Sequence, residues 1–117
     1  LEEALKRSVG MFALALWDRR ERRLHLARDR FGEKPLYYGR AGRDLVFASE
    51  LKAIRRHPDF RGEIDRQALT AYARTGVVAG ARSIYAGIAR LAPGTIATFE
   101  DPADEPRLAA YWSYRDV

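Results

Sequence analysis

Residues 27–38 read ARDRFGEKPLYY and give the chain one path between two predicted strands. The Asp29 carboxylate can accept hydrogen bonds from backbone N–H groups two residues further along the chain, as Asp does in turns. Gly32 can take a positive φ without steric cost, and Pro35 favours an extended conformation at Lys34. These constraints predict a structural turn that depends on Asp29, Gly32 and Pro35.

Short apolar segments on both sides of this turn predict an antiparallel α+β fold. Residues 10–17 are continuously apolar, which predicts a strand buried on both faces. Residues 24–28 alternate in polarity and predict its antiparallel partner. The other predicted elements are strands at 36–38, 45–47, 95–99 and 108–112, a helix capped by Ser49, and a helix that runs from Asp65 as N-cap to Gly76.

The composition limits the class of protein. The 117 residues are 47% hydrophobic and 32% charged, which fits one soluble globular domain. No apolar run approaches the roughly 20 residues of a membrane helix. The chain has no Cys, and its two His residues lack the partners of a zinc site. We therefore expect no metal, no cofactor in this chain and no membrane partner.

The charge of the chain raises the question of nucleic acid. The net charge is +5, and four of the residues Arg19–Arg23 are Arg. They are not interleaved with aromatic residues, and they belong to no DNA-reading motif. We interpret them as a solvated hairpin tip and expect no nucleic-acid partner. A stand-alone basic binding module remains an alternative, which salt-dependent retention on nucleic acid would support.

The residue types alone assign no reaction to this chain. The sequence has no phosphate-binding glycine loop, no nucleophilic Cys and no Ser/His/Asp order. The chain begins at Leu1 without Met, and its first residues have the pattern of a helix that lacks an N-cap. We therefore expect it to be a piece of a longer protein.

Ordered motifs along almost the whole chain resemble the glutamine-hydrolysing asparagine synthase family. These motifs are GMFALALWD at 10–18, LARDRFGEKPLYY at 26–38, FASELKAI at 47–54, SIYAGI at 83–88, LAPG at 91–94 and YW at 111–112. They are similar to the second half of that family's N-terminal glutaminase domain, which is a class II glutamine amidotransferase. Residues 1–117 would then be the C-terminal half of this domain. The half that carries the nucleophile and the ATP-dependent synthetase domain would lie outside the chain.

The resemblance implies the fold of the domain. The fold is an Ntn-hydrolase-like αββα sandwich, in which two antiparallel sheets pack between helical layers. Since this chain would hold only a partial domain, we expect exposed apolar surface where the missing half docks, and self-association through it. We expect the chain to be cytoplasmic.

The resemblance also implies the reaction of the parent protein. An N-terminal Cys splits glutamine and releases ammonia, which passes through an internal tunnel. A separate domain uses ATP and Mg to activate aspartate as an adenylate, and ammonia converts this adenylate to asparagine. The family's catalytic and substrate-binding residues fall outside this chain, so we expect the chain alone to be inactive.

Within the chain, the resemblance assigns Met11, Glu33 and Lys34 to the start of the ammonia tunnel. Family members often carry apolar residues at the last two positions. The charged side chains here would have to point outward or pair, because burial without a partner is unfavourable. The acceptor stays open, since related amidotransferases act on surface sugars or peptide precursors, or close β-lactam and lasso-peptide rings.

Overall fold

The computed structural model describes the backbone of residues 1–116 and the side chains of residues 1–115. Of the domain predicted over residues 1–117, Val117 therefore lies outside the described residues. The described elements are α1 (Glu2–Arg7), β1 (Ala13–Asp18), β2 (Arg23–Arg28), β3 (Tyr37–Ala41), β4 (Asp44–Ala48), α2 (Leu51–Ile54), α3 (Arg66–Thr75), β5 (Ile88–Arg90), β6 (Thr95–Phe99), β7 (Arg107–Ala110) and a 3-10 turn (Tyr114–Asp116). All strand pairs are antiparallel, which confirms the α+β class.

The chain divides into two compact units, and the first combines residues 1–35 with the segment from Leu91 onward. Its sheet has the strand order β1-β2-β6-β7. β6 pairs on both sides, since Ala97 lies opposite Leu26 on β2 and Leu108 on β7. Every residue of β6 is buried. The core of this unit contains Leu5, Ala27, Ile96 and Tyr111.

β1 lies at one edge of this sheet, and the prediction that residues 10–17 form a strand buried on both faces is wrong. The strand begins at Ala13, and Leu16 and Trp17 are 44% and 54% exposed. A continuous apolar run indicates that both faces of a strand favour burial. Whether both faces are buried depends on which other elements pack against the strand. The half-exposed strand agrees with the exposed apolar surface that the sequence led us to expect. Self-association through it stays a prediction.

The second unit comprises Leu36–Arg90 and contains a sheet with the strand order β4-β3-β5. β5 was not among the predicted strands, because three residues are too few for a periodic pattern. Gly39 on β3 lies against the start of β5. A Cβ atom there would stand 2.2 Å from the carbonyl oxygen of Gly87, so the two strands approach more closely than any side chain at this position would permit.

The helices of the second unit follow their predicted signals to different degrees. α3 begins after Asp65 and ends at Gly76, whose φ is +75°, and both predictions are confirmed. The predicted Ser49 cap of α2 is wrong. Glu50 has an extended backbone and occupies the N-cap position without a side-chain hydrogen bond. None of the helices in the described part of the chain is long and apolar enough to cross a membrane.

Candidate functional site

Asp29 lies at the centre of the connection that follows β2, and its side chain is only 1% exposed. Its Oδ1 accepts hydrogen bonds from the backbone N–H groups of Phe31 and Glu33, at 3.1 and 3.0 Å. Its Oδ2 accepts from the N–H groups of Lys34 and Phe12, at 2.9 and 3.3 Å. The predicted bond to the residue two positions on is confirmed, and three further donors complete the site.

These donors determine the ionisation of the Asp29 carboxyl. Burial by itself would raise the pKa, because desolvation penalises the charged form. The backbone N–H groups of Lys34, Glu33, Phe12 and Phe31 act in the opposite direction and hold the pKa of Asp29 below its ordinary value. The turn is therefore built around an ionised carboxylate.

Gly32 satisfies the conformation that the sequence predicts for this turn. Its φ is +67°, and its N–H donates to the carbonyl of Asp29 at 3.1 Å. A Cβ atom at this position would lie 2.8 Å from Cγ of Pro93 and 2.9 Å from the guanidinium of Arg28. Both the backbone angle and the available space therefore require glycine. Pro35 is half-buried and ends the connection.

Arg28 supplies the opposite charge to the same turn, and sequence reasoning did not identify it. Its buried guanidinium donates to the carbonyl oxygens of Lys34 at 2.8 Å, Leu91 at 2.6 Å and Gly32 at 2.5 Å. The hydroxyl of Tyr111 donates to the carbonyl of Arg28 at 2.9 Å. Two neighbouring residues of opposite charge thus bind backbone amides and carbonyls of this turn and of the segments beside it.

Arg30 connects the turn to helix α1. Its Nη2 donates to the carbonyl of Lys6 at 2.6 Å, and its Nη1 donates to the carbonyl of Ser8. These acceptors lie at the C-terminal end of α1, where carbonyl groups lack partners within the helix and cationic groups are favoured. The sequence carries no local signal for this contact, because the residues are 22 and 24 positions apart.

The three predicted tunnel residues lie on two segments that Asp29 joins. Met11 directly precedes Phe12, and the backbones of Phe12, Glu33 and Lys34 all bind the Asp29 carboxylate. The side chain of Met11 is 57% exposed, and Glu33 and Lys34 are also exposed. Their charged groups therefore avoid desolvation in the described chain. A role for these residues in a tunnel stays a prediction.

A cavity of about 530 Å³ lies beside the turn, within the first unit. Phe31 and Trp112 contact each other edge to face on its wall, with ring centroids 5.2 Å apart. Pro93, Ala110 and Tyr114 add further apolar lining. This cavity can accept an apolar group. No cluster of three or more His, Asp or Glu side chains that could hold a metal ion occurs among the described residues.

Together, these features define an antiparallel α+β domain in which buried charges shape a turn through main-chain hydrogen bonds. The charged groups of Arg28 and Asp29 are engaged by backbone groups, so they position the chain and are not placed for proton transfer. The chain belongs to the glutamine amidotransferase domain family, whose model matches residues 2–112.

Curated relatives support the same family. The chain is 33% and 34% identical to asparagine synthetases (glutamine-hydrolyzing) 2 and 3 of Bacillus subtilis strain 168, over 93% and 96% of its length. It is 36% identical to synthetase 1 of the same organism over 88% of its length. These alignments use 15%, 18% and 16% of the relatives, so the chain spans about one sixth of their length. The resemblance to the asparagine synthase family is confirmed.

Proposed function

We propose that this chain is the C-terminal half of the glutaminase domain of a glutamine-hydrolysing asparagine synthase. One observation carries the proposal: nearly the whole chain matches three asparagine synthetases at 33–36% identity, and the match uses about one sixth of each. A match of this kind is typical of one part of a multidomain enzyme. The partners of the chain are then the remaining parts of the same protein.

The proposed parent hydrolyses glutamine and uses the ammonia to amidate aspartate in the cytoplasm. Its synthetase domain would bind ATP and Mg and form the aspartyl adenylate, and this domain lies outside the chain. The complete glutaminase domain is proposed to be an Ntn-hydrolase sandwich. The half-exposed Leu16 and Trp17 on the edge strand β1 support a further layer or strand against this part of the sheet.

Within this proposal, the Asp29 turn shapes the start of the ammonia passage. The support is the common carboxylate that binds the backbone of Phe12, next to Met11, and of Glu33 and Lys34. Main-chain hydrogen bonds to the buried Asp29 carboxylate hold these backbone segments in place, because a donor left unpaired there would cost free energy. The exposed Glu33 and Lys34 side chains would make this part of the passage polar.

The inactivity of the chain alone can be tested by incubation with glutamine and measurement of ammonia. We expect no release above the buffer control, because the proposal places the nucleophile outside the chain. Full-length asparagine synthetase 2 of Bacillus subtilis serves as the positive control. Turnover by the purified chain would show that it contains a complete glutaminase and would overturn the proposed division.

The acceptor can be tested on the complete protein that contains this chain. We expect an N-terminal Cys upstream and a Ser-Gly-Gly-x-Asp-Ser pyrophosphate loop downstream, and asparagine formation from glutamine, aspartate and ATP. Amidation of a sugar or peptide, or ring closure, would keep the glutaminase role and remove the asparagine assignment. A reading frame that begins near Leu1, with no upstream Cys, would overturn both.

A further inference from the structure

An exposed apolar loop connects α1 to β1 in the first unit. Val9 is 95% exposed and Met11 is 57% exposed. Gly10 has a φ of +112°, and apart from Gly10 itself and its two chain neighbours no residue places a heavy atom within 4 Å of the position of a Cβ atom there. The side chains of Val9–Met11 therefore contribute little to the shape of the loop, which must be held from elsewhere if it is to be fixed.

Two consecutive residues of the turn bind the two ends of this loop. Before the loop, the Arg30 guanidinium donates to the carbonyls of Lys6 and Ser8. After the loop, the backbone N–H of Asp29 donates to the carbonyl of Phe12 at 2.9 Å, and its carboxylate accepts from the N–H of Phe12 at 3.3 Å. Both ends of the loop are thus attached to one short segment.

The same segment also holds Glu33 and Lys34, the other residues proposed to lie at the start of the ammonia passage. The Asp29 carboxylate accepts from the N–H groups of Glu33 and Lys34. We infer that Asp29 and Arg30 are positioning residues that hold the Val9–Met11 loop in place relative to Glu33 and Lys34. The consequence of this positioning rests on the proposed function. It is that ammonia from glutamine reaches the acceptor and is not lost to solvent.

The structural part can be tested on the chain itself, because it contains no Cys. A Val9→Cys variant would carry one nitroxide label on the loop, and its electron paramagnetic resonance line shape would report loop mobility. Arg30→Met keeps most of the side-chain length and removes the guanidinium. We expect the rotational correlation time of the label to fall at least about twofold. Arg19→Met, at the exposed hairpin tip, makes the same charge change and should leave the spectrum unchanged. Equal spectra for Arg30→Met and its parent would overturn the inference.

The functional part requires the complete protein and compares product formed with glutamine hydrolysed. We expect Arg30→Met and Asp29→Asn each to lower this ratio at least about twofold, because a misplaced wall lets ammonia escape. Synthesis from externally supplied ammonia should persist, which a general loss of folding would not allow. Asp65→Asn, which also removes the charge of a carboxylate that binds backbone amides, is the control and should keep the ratio.

The outcomes separate this inference from the proposed function. If the unmodified protein hydrolyses no glutamine, the proposed function and the role in ammonia transfer fail, whereas the spin-label experiment still decides whether Arg30 positions the loop. If it couples hydrolysis to product, and Arg30→Met couples equally well, only the positioning role is overturned. Arg30→Met decides this point even where Asp29→Asn fails to fold, because Arg30 is only half-buried.

Discussion

Asp29 and Asp65 perform the same local task in the two units, but their surroundings differ. Both carboxylates accept hydrogen bonds from backbone N–H groups that follow them in the chain. Asp29 is almost fully buried and binds three such groups together with the N–H of Phe12, which precedes it in the chain. Asp65 binds the N–H groups of Gln67 and Ala68 at the start of α3, and it also pairs with Arg82 at 2.9 Å in a partly exposed site.

The origin of the donors separates the two sites further. Those of Asp65 lie two and three positions along the same helix, so they form with local structure. Asp29 also binds Phe12, which lies 17 positions earlier, so its network forms only when the tertiary structure does. A local rule therefore locates a turn carboxylate, whereas burial and distant donors determine how much of the fold depends on it.

The largest expected effect follows from removal of each carboxylate. Asp29→Ala should lower the free energy of unfolding by about 3 kcal/mol or more, because four backbone donors lose a charged acceptor in a buried place. Asp65→Ala should cause a clearly smaller loss, because water can replace the acceptor at a partly exposed helix end. Urea unfolding followed by far-ultraviolet circular dichroism, which reports on the helices and strands of both units, measures both. Equal losses would contradict the comparison.

A matched pair of glycines gives the next largest effect. Gly32 and Gly76 both have positive φ, at +67° and +75°. Gly76→Ala should cost about 1 kcal/mol, since the left-handed conformation is its main penalty and no neighbour lies within 4 Å of the new Cβ. Gly32→Ala should cost about 2–3 kcal/mol, because the Cβ also meets Pro93 and Arg28. The same urea experiment tests this, and a larger loss at Gly76 would refute it.

The lowered pKa of Asp29 predicts a dependence of stability on pH. A carboxyl whose pKa is lower in the folded state contributes stability above the unfolded value of about 3.9, and this contribution is lost as the pH falls through the folded pKa. The unfolding free energy should therefore decline more steeply below about pH 4 in the unmodified chain than in Asp29→Asn. The effect is smaller than that of Asp29→Ala, because a protonated carboxyl still accepts hydrogen bonds.

Asp65→Asn is the control for this pH dependence. The pKa of Asp65 is also lowered, chiefly by the N–H of Ala68 and with a contribution from Arg82, so this variant should remove part of the acid sensitivity as well. We expect the part removed to be smaller than for Asp29→Asn. Parallel pH curves for the unmodified chain and Asp29→Asn would refute the prediction.

The smallest expected effect concerns the hydroxyl of Tyr111. Tyr111→Phe removes its buried hydrogen bond to the carbonyl of Arg28 and should cost about 1 kcal/mol, as for a single neutral hydrogen bond. Tyr72→Phe in the second unit changes an exposed side chain and should leave the stability unchanged. Thermal unfolding by circular dichroism compares the two variants. A neutral result at position 111 would show that the turn does not depend on this contact.

Local signals in the sequence predicted a large part of the fold. Asp29 and Gly32 were found from turn chemistry, and Asp65 and Gly76 were found from helix-capping rules. Strand β6, at Thr95–Phe99, agrees with the predicted bounds because its β-branched alternation is local. Each of these predictions depends on contacts within a few residues, which is the range over which residue types carry information.

Several of the contacts that sequence analysis missed join positions far apart in the chain. Arg28 binds Leu91, and Arg30 binds Lys6 and Ser8, and no spacing rule connects such positions. The exposed side of β1 was missed for the same reason, since burial depends on what packs against a strand. The tunnel positions Met11, Glu33 and Lys34 were predicted from resemblance alone, and a tunnel role for their side chains stays a prediction.

The first unit is assembled from two pieces of chain, and the second unit is one continuous piece. The bond between Tyr111 and Arg28 spans 83 positions, and β2 pairs with β6 across a similar interval. On the ribosome, the hairpin of β1 and β2 therefore emerges long before the strand that buries it, whereas residues 36–90 can complete their own contacts on release. A nascent chain that pauses after Arg90 would present this hairpin to chaperones with its apolar face still uncovered.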